Sequence, residues 1–297
     1  SALSITIDTT APTAPTGIDL ATASDTGSSS TDNITKINTP TMSATGATPA
    51  AGEVVTLTAT RTGASPVSCT YTNPATSCVM PTMSDGVWSV SSTLTDVAGN
   101  VSAASAATNV TIDTSAPSAF DPDLAAASDT GASSTDDVTS DNTPAITTLP
   151  TPEMNVTYVV TATKSPSTAT CSFTRSLLTT SCDLTTLADG VWTITIVATD
   201  VAGNSTTSTN PLPITIDTTA PSAPLAPDML ASSDTGSSST DNITSDSTPT
   251  ITVPSLVIGE LYTITATKAP STVTCSFTAT AMVTSCDLGT LADGVWS

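Results

Sequence analysis

Internal repetition governs what this chain can become. Asp8-Thr-Thr-Ala-Pro12 returns as Asp113-Thr-Ser-Ala-Pro117 and as Asp217-Thr-Thr-Ala-Pro221, at offsets of 105 and 104 residues. Ser-Asp-Thr-Gly begins at Ser24, Ser128 and Ser233. Asp-Gly-Val-Trp begins at Asp85, Asp189 and Asp293, and Thr-Asp-Val-Ala-Gly-Asn at Thr95 and Thr199. Periods of about 20–50 residues build solenoids and propellers, whose units share one core. A unit of about 105 residues can enclose a core of its own, so the pattern predicts a string of small domains. The expected division is 1–7 as the last strand of a preceding module, 8–112 as module 1, 113–216 as module 2, and 217–297 as a C-terminally incomplete module 3.

Within a module the pattern is strand after strand. Val54–Thr60 alternates apolar residues with Thr, as do its counterparts Tyr158–Thr163 and Leu261–Thr267. Period two, punctuated by Gly, Pro, Asn and Asp, is the signature of strands and turns. About seven short strands in about 105 residues predict an all-β chain of tandem immunoglobulin-like β-sandwich modules. In such a sandwich the Asp-Gly before Val-Trp occupies the corner before a central strand, with the Trp anchoring the core. Thr-Asp-Val-Ala-Gly-Asn is the following hairpin turn, with Gly and Asn at positive φ. Pro12, Pro117 and Pro221 stiffen the links. Strand rise and length give each module a projection of about 40 Å along the array.

Composition removes whole classes of function. The chain has no His, which excludes His-ligated metals and His-based nucleophilic machinery. Asp plus Glu is 26 against 5 for Lys plus Arg. The five cations Lys36, Arg61, Lys164, Arg175 and Lys268 are too few to neutralise a nucleic-acid backbone or to dock on an anionic membrane. No apolar run reaches the roughly 18 residues of a membrane helix, so direct insertion is not expected. No phosphate loop, cofactor fingerprint or nucleophile–base pair is visible, and the chain reads as non-enzymatic.

Six cysteines fall two per module, as Cys69/Cys78, Cys171/Cys182 and Cys275/Cys286. The spacings of 9, 11 and 11 are too wide for a CxxC zinc site. Each pair reads as a disulfide across a hairpin, formed in an oxidising, extracellular compartment. The competing reading is six buried free thiols.

Asp25-Thr-Gly27 resembles the aspartic-protease signature, but context opposes it. That chemistry needs two such motifs facing each other on apolar strands, and here the motif recurs once per module amid Ser and Thr. Clustered oxygens suggest a cation instead. The expected calcium set at the first junction is Asp8, Asp25, Asp32, Asp96 and Asn100. At the second it is Asp113, Asp129, Asp136, Asp200 and Asn204, and at the third, partial, Asp217, Asp234 and Asp241. Six to eight oxygens suit Ca²⁺, and unneutralised carboxylates packed together repel. The competing reading is a set of solvated acidic turns that keep the array soluble.

The combination of Asp-Thr-Thr-Ala-Pro, Ser-Asp-Thr-Gly-x-Ser-x-Thr-Asp-x-(Ile/Val)-Thr, Leu-Ala-Asp-Gly and Thr-Asp-Val-Ala-Gly-Asn resembles the bacterial immunoglobulin-like repeats of giant surface adhesins and biofilm-associated proteins. The resemblance spans the chain. It implies an extracellular stalk or filament segment serving cell adhesion, with neighbouring modules as partners and Ca²⁺ between domains. The cysteine pair in every module and the corner Trp depart from that pattern. Two other classes compete. One is a self-assembling subunit of a fibre, sheath or surface layer, joined to other copies by β-strand addition. The other is a glycan- or receptor-binding module, for which Tyr71, Tyr158 and Tyr262 are too evenly spaced to form an evident platform.

Overall fold

The computed structural model describes residues 3–131 and 133–297. Ser1 and Ala2 of the expected leading strand, and Ala132 of the second acidic loop, lie outside the described residues. Among the described residues every regular element is a strand, and no helix is long and apolar enough to cross a membrane. The chain forms two compact units, Ser1–Thr218 and Thr219–Ser297.

The first unit holds modules 1 and 2. Module 1 comprises β1 (Gly17–Leu20), β2 (Ile34–Thr35), β3 (Thr41–Thr45), β4 (Val54–Thr60), β5 (Val67–Thr72), β6 (Cys78–Val79), β7 (Gly86–Thr95) and β8 (Thr108–Ile112). They form two sheets, ordered β1-β3-β6 and β2-β8-β7-β4-β5. Module 2 repeats the plan with β9 (Asp121–Leu124), β10 (Val138–Thr139), β11 (Ala145–Leu149), β12 (Thr157–Lys164), β13 (Ser167–Thr174), β14 (Cys182–Asp183), β15 (Gly190–Thr199), β16 (Ser205–Thr207) and β17 (Leu212–Ile216). Its sheets run β14-β11-β9 and β10-β17-β15-β12-β13, with β16 paired to β15. The second unit contains β18 (Asp228–Met229), β19 (Thr250–Thr252), β20 (Leu261–Lys268), β21 (Ser271–Thr278) and β22 (Ser285–Asp287), in sheets β18-β19-β22 and β20-β21.

Alternation drives the burial. In β4, Val55, Leu57 and Ala59 are fully buried while Thr56 and Thr58 face outward. They meet Ile18, Leu20 and Met42 from the opposite sheet and Trp88, Val90 and Val110 from their own. Module 2 packs Val160, Ile194 and Ile196 against Leu124 and Ile146. Its core adds Tyr158, edge-on to Phe120 at 5.5 Å and stacked on Phe173 at 5.1 Å. Residues 3–7 carry no ladder here. Ile5 and Ile7 are 72% and 81% exposed, whereas their repeat counterparts Ile214 and Ile216 are buried.

The first strand of each complete module is split between the sheets. β1 pairs antiparallel with β3, while β2 pairs parallel with the end of β8. The acidic segment between them is therefore the crossover from one sheet to the other, and the corresponding segment of module 2 links β9 to β10 in the same way.

All six cysteines are paired as expected, Cys69–Cys78, Cys171–Cys182 and Cys275–Cys286, with Cα–Cα distances of 5.9, 6.0 and 6.0 Å. Their placement differs from the expected hairpin. Each bridge joins edge strands of opposite sheets, β5 to β6, β13 to β14 and β21 to β22. It closes the open edge of the sandwich. Closing a loop of about ten residues stabilises by roughly 2.7 kcal/mol in the chain-entropy treatment. Replacing Cys69 and Cys78 together by Ser is expected to lower the denaturant-measured stability of module 1 by about that amount. A change below about 0.5 kcal/mol would mean that hydrophobic packing alone closes the edge.

Candidate functional site

Every module builds the same corner from Asp-Gly-Val-Trp. The indole nitrogens of Trp88, Trp192 and Trp296 donate to the carbonyls of Ser84, Ala188 and Ala292, each at 2.8 Å. A cation lies over each ring: Arg61 at 5.8 Å, Lys164 at 5.9 Å and Lys268 at 5.8 Å. Each also donates to the preceding Asp carbonyl, of Asp85, Asp189 and Asp293. Gly86, Gly190 and Gly294 have φ of 128°, 120° and 131°, and a Cβ there would strike the cation. Lys36 and Arg175 donate to the carbonyls of Gly203 and Pro152. All five cations are thus committed to backbone carbonyls.

The Ser-Asp-Thr-Gly motif has a structural task at each position. Ser24 Oγ accepts the N–H of Thr41, which starts β3. Thr26 Oγ1 bonds Thr35 Oγ1 and accepts the N–H of Lys36, closing the loop on itself. Asp25 is only 4% exposed, and its Oδ2 accepts the N–H of Asn33 at 3.3 Å. Its Oδ1 has no partner, and neither does the Oδ1 of Asn33. Asp32 turns back to accept the N–H of Ile34 at 3.1 Å. The counterparts behave alike. Asp129 and Asp234 are 6% and 5% exposed, each with an unpartnered Oδ1. Asp136 and Asp241 accept from Val138 and Ile243. Burial raises the pKa of Asp25, with the carboxylates of Asp32 and Asp19 pushing the same way against the Asn33 N–H. Burial likewise raises Asp137 and Asp123, reinforced by the charge of Asp129.

The expected first-junction set does not gather at one point. Asn100 donates to Asp96 through its backbone N–H at 2.8 Å and its Nδ2 at 2.8 Å, and from Nδ2 to the carbonyl of Asp8 at 3.2 Å. Asp8, Asp96 and Asn100 are together at the entry pole. Asp25 and Asp32 lie at the other pole, because β2 pairs with the end of β8, which pairs with Gly86 at the start of β7. Asp96 follows the far end of that ten-residue strand, roughly 30 Å away by strand rise. The second set divides the same way. Asn204 binds Asp200 and the carbonyl of Asp113 at 2.8 Å, while Asp129 and Asp136 sit by the Gly190 end of β15. Of the third set, Asp234 and Asp241 share the acidic loop of the second unit, and the N–H of Asp217 donates to Thr139. Asn100 lacks the positive φ expected of it, since only Gly99 needs it. The amide of Asn100 serves as a clasp.

These two kinds of acidic group differ in their suitability for a cation. Asp96 and Asp200 each use both oxygens to accept N–H donors from one Asn, and the Asn100 side chain holds the Asp96 pKa below the usual range. Among the described residues no three acidic side chains converge on a common metal position. Among the described residues the acidic loops retain buried, unpartnered carboxylate and amide oxygens, and outside them the hydroxyl of Ser92 on β7 is likewise without a partner.

The acidic loop of module 1 also forms the joint between modules 1 and 2. Ser28 N–H donates to Val201 O at 3.2 Å, Thr26 Oγ1 to Ala202 O at 2.8 Å and Lys36 Nζ to Gly203 O at 2.7 Å. Gly27, at φ 102°, approaches so closely that a Cβ would lie 1.9 Å from Val201 O. On the linker, Thr114 and Ser115 donate their hydroxyls to Asp85 at 2.8 and 3.0 Å. These contacts had no signal in the sequence beyond the recurrence of the residues, since they join positions up to 176 residues apart.

Two outcomes follow from this geometry. Gly27→Ala should loosen the joint, read as a broader scattering distance distribution for residues 1–218, while leaving the module cores intact. The Thr114 hydroxyl leads in holding the Asp85 carboxyl below its usual pKa, so its contribution is present above the ordinary aspartate range and lost as pH falls through the depressed value. Asp85→Ala should therefore cost roughly 1 kcal/mol near neutrality, and the difference from wild type should shrink as pH falls below the ordinary aspartate range. A pH-independent difference would assign the loss to packing.

No curated protein sequence matches the chain. Among solved structures it is similar to the FN1–FN3 domains of chicken CNTN1, at 12% identity and TM-score 0.42, covering 69% of this chain and 68% of that one. It is also similar to a 1.5-MDa bacterial ice-binding adhesin, at 17% identity and TM-score 0.36, covering 92% and 84%. A Ca²⁺-stabilised adhesin of an Antarctic bacterium gives 20% identity and TM-score 0.35, covering 95% of this chain and 66% of that one. The bacterial Ig-like domain pattern matches residues 10–114 and 116–218, one per module, and this chain belongs to that family.

Proposed function

We propose that the chain is a non-enzymatic stalk segment of a secreted bacterial surface adhesin, stiffened by disulfides within modules and by calcium. Its work is mechanical: each sandwich resists unfolding, and the joints limit bending. The observation that carries this reading is the joint itself, where the Ser28 N–H, the Thr26 hydroxyl and the Lys36 ammonium of the Ser24–Lys36 loop donate to the carbonyls of the Val201–Gly203 turn of the next module. A head-to-tail contact of this kind repeats without closing, which suits a rod. Three disulfides and no free cysteine among the described residues suit an oxidising, extracellular setting. The Asp-Thr-Gly motif is accounted for by loop closure and needs no proteolytic role.

A second reading, self-assembly through strand addition, draws on the exposed alternating Leu3, Ile5 and Ile7, which match the buried pattern of β17. Negative-stain images separate the two: discrete monomeric rods support the stalk, and fibres support assembly. Scattering in calcium and then in EDTA tests the stiffening. A stalk with calcium should give a rigid profile that broadens on chelation, and an identical profile in both would remove calcium from the mechanism.

A further inference from the structure

The two faces of each sandwich differ in charge. Among the described residues, every carboxylate that lies within a strand belongs to a three-stranded sheet: Asp19, Asp121, Asp123, Asp183, Asp228 and Asp287. The other acidic residues lie in loops, turns and linkers. The strands of the larger sheets contain no Asp or Glu, in a chain whose formal net charge is −21. Their only charged residue in module 2, Lys164, sits at the end of β12 and is spent on Trp192 and the Asp189 carbonyl.

The outward side of these sheets is a grid of hydroxyl and methyl groups. In module 2 the rows Thr170–Thr161–Thr195 and Thr168–Thr163–Thr193 run straight across β13, β12 and β15. The adjoining row sets Val159 and Val197, 43% and 40% exposed, side by side. Module 1 places Thr70–Thr56–Thr93 across β5, β4 and β7. In the second unit Thr265 pairs with Thr274, and Thr267 with Thr272, across β20 and β21. A soluble surface ordinarily carries roughly 25–35% charged residues, and a neutral sheet face on so acidic a chain is a departure from that rule.

We propose that the outward faces of the larger sheets of modules 1 and 2 are a self-association surface, on which a second copy of this chain packs laterally, sheet against sheet. This goes beyond the stalk reading and does not rest on it. It also differs from strand addition, because side chains meet and no new backbone ladder forms.

Charge selects the partner. Two chains of net charge −21 repel at their acidic poles and smaller sheets, so the neutral face is where a second copy approaches at least cost. Chemistry makes the face complementary to itself. Each Thr hydroxyl both donates and accepts, so two identical faces can satisfy each other, as Thr157 and Thr174 already do across strands at 2.9 Å. The β-branched methyls and the valines add apolar area and bring stiff side chains to the contact. A glycan is a poorer fit, since sugar faces stack on aromatic rings, and Tyr71, Trp88, Tyr158 and Trp192 are all buried in the module cores.

Area sets the strength. Strands about 4.8 Å apart and a two-residue repeat of about 6.7 Å give each grid position roughly 32 Å². Three strands and four rows in module 2 then offer about 390 Å², so one pair of such faces buries about 770 Å² in total, below a standard interface. With module 1 engaged as well the total reaches about 1,300 Å², the lower edge of the stable range. Association is therefore weak for one face and gains by avidity along the array.

Sedimentation of the full chain between about 10 μM and 1 mM tests the surface. The sedimentation coefficient should rise with concentration, and rise more at about 0.5 M than at 0.05 M salt, because screening weakens the repulsion between acidic chains. Thr56→Glu with Thr161→Glu alters outward side chains only, and unchanged thermal melting would show the fold intact. This variant should weaken association at least about tenfold by opposing like charges. Mixing it with a Thr56→Lys, Thr161→Lys chain should restore association, which a merely structural effect of the substitutions would not. Ile5→Asp with Ile7→Asp should leave association unchanged. A chain that stays monomeric to about 1 mM would overturn the proposal, and retention of that chain on an immobilised glycan, lost in the Glu variant, would give the face to a sugar. Association that survives the Glu variant but is lost with Ile5→Asp and Ile7→Asp would overturn it in favour of strand addition.

Discussion

The split of the first strand between two sheets is the constraint on which the rest of this molecule depends. β1 must hand the chain from the β1-β3-β6 sheet to the edge of the larger one, and the crossover spans the distance with Ser, Thr, Asp and Gly. These residues close short loops with their own side chains, and Thr26 and Ser24 do so here. The crossover emerges at the pole where β8 leaves the module. It is thereby delivered to the start of the next sandwich, and a loop that solves a topological problem becomes the surface of the joint.

The joint shows how an acidic chain can hold two domains together with few charges. Most of its contacts are donors to backbone carbonyls, from an amide, a hydroxyl, an ammonium and the Asn204 side chain. Backbone contact at this distance requires Gly27, since any side chain would intrude on Val201. Asn204 and Asp200 form a small closed unit that fastens the turn to the linker at Asp113. Such a clasp is rigid without an ion because each carboxylate oxygen already has a donor. The buried aspartates of the crossover are the opposite case, since Asp25 and Asp234 each accept a backbone N–H at Oδ2 while Oδ1 has no donor.

The disulfides and the Trp corners stabilise a module at complementary places. The bridge ties the two sheets at the edge formed by β5 and β6, and the corner fixes the entry to β7 with a ring, a cation and an aspartyl carbonyl. Three of the five cations are used in this way. That placement explains why a chain with so few Lys and Arg keeps one at the same point of each repeat.

Much of this was legible in the residue order. The 105-residue period, the alternation in Val54–Thr60, the Asp-Gly before Val-Trp and the matched cysteines are all local or periodic signals, and they determined the all-β tandem sandwich and the cysteine partners. What they could not determine was the pole of the sandwich at which a loop lies. The four residues of β1 carry Asp25 away from Asp8, and the parallel pairing of β2 with β8 places it beside module 2. Strand direction and sheet membership are long-range choices made by packing, so aspartates grouped by sequence belonged to opposite ends of a module. The same limit hid the bridge between sheets, because ten residues of spacing fit a hairpin as well as a crossing between layers. Only the packed core distinguishes them, since it decides which side chains face each other across the sandwich.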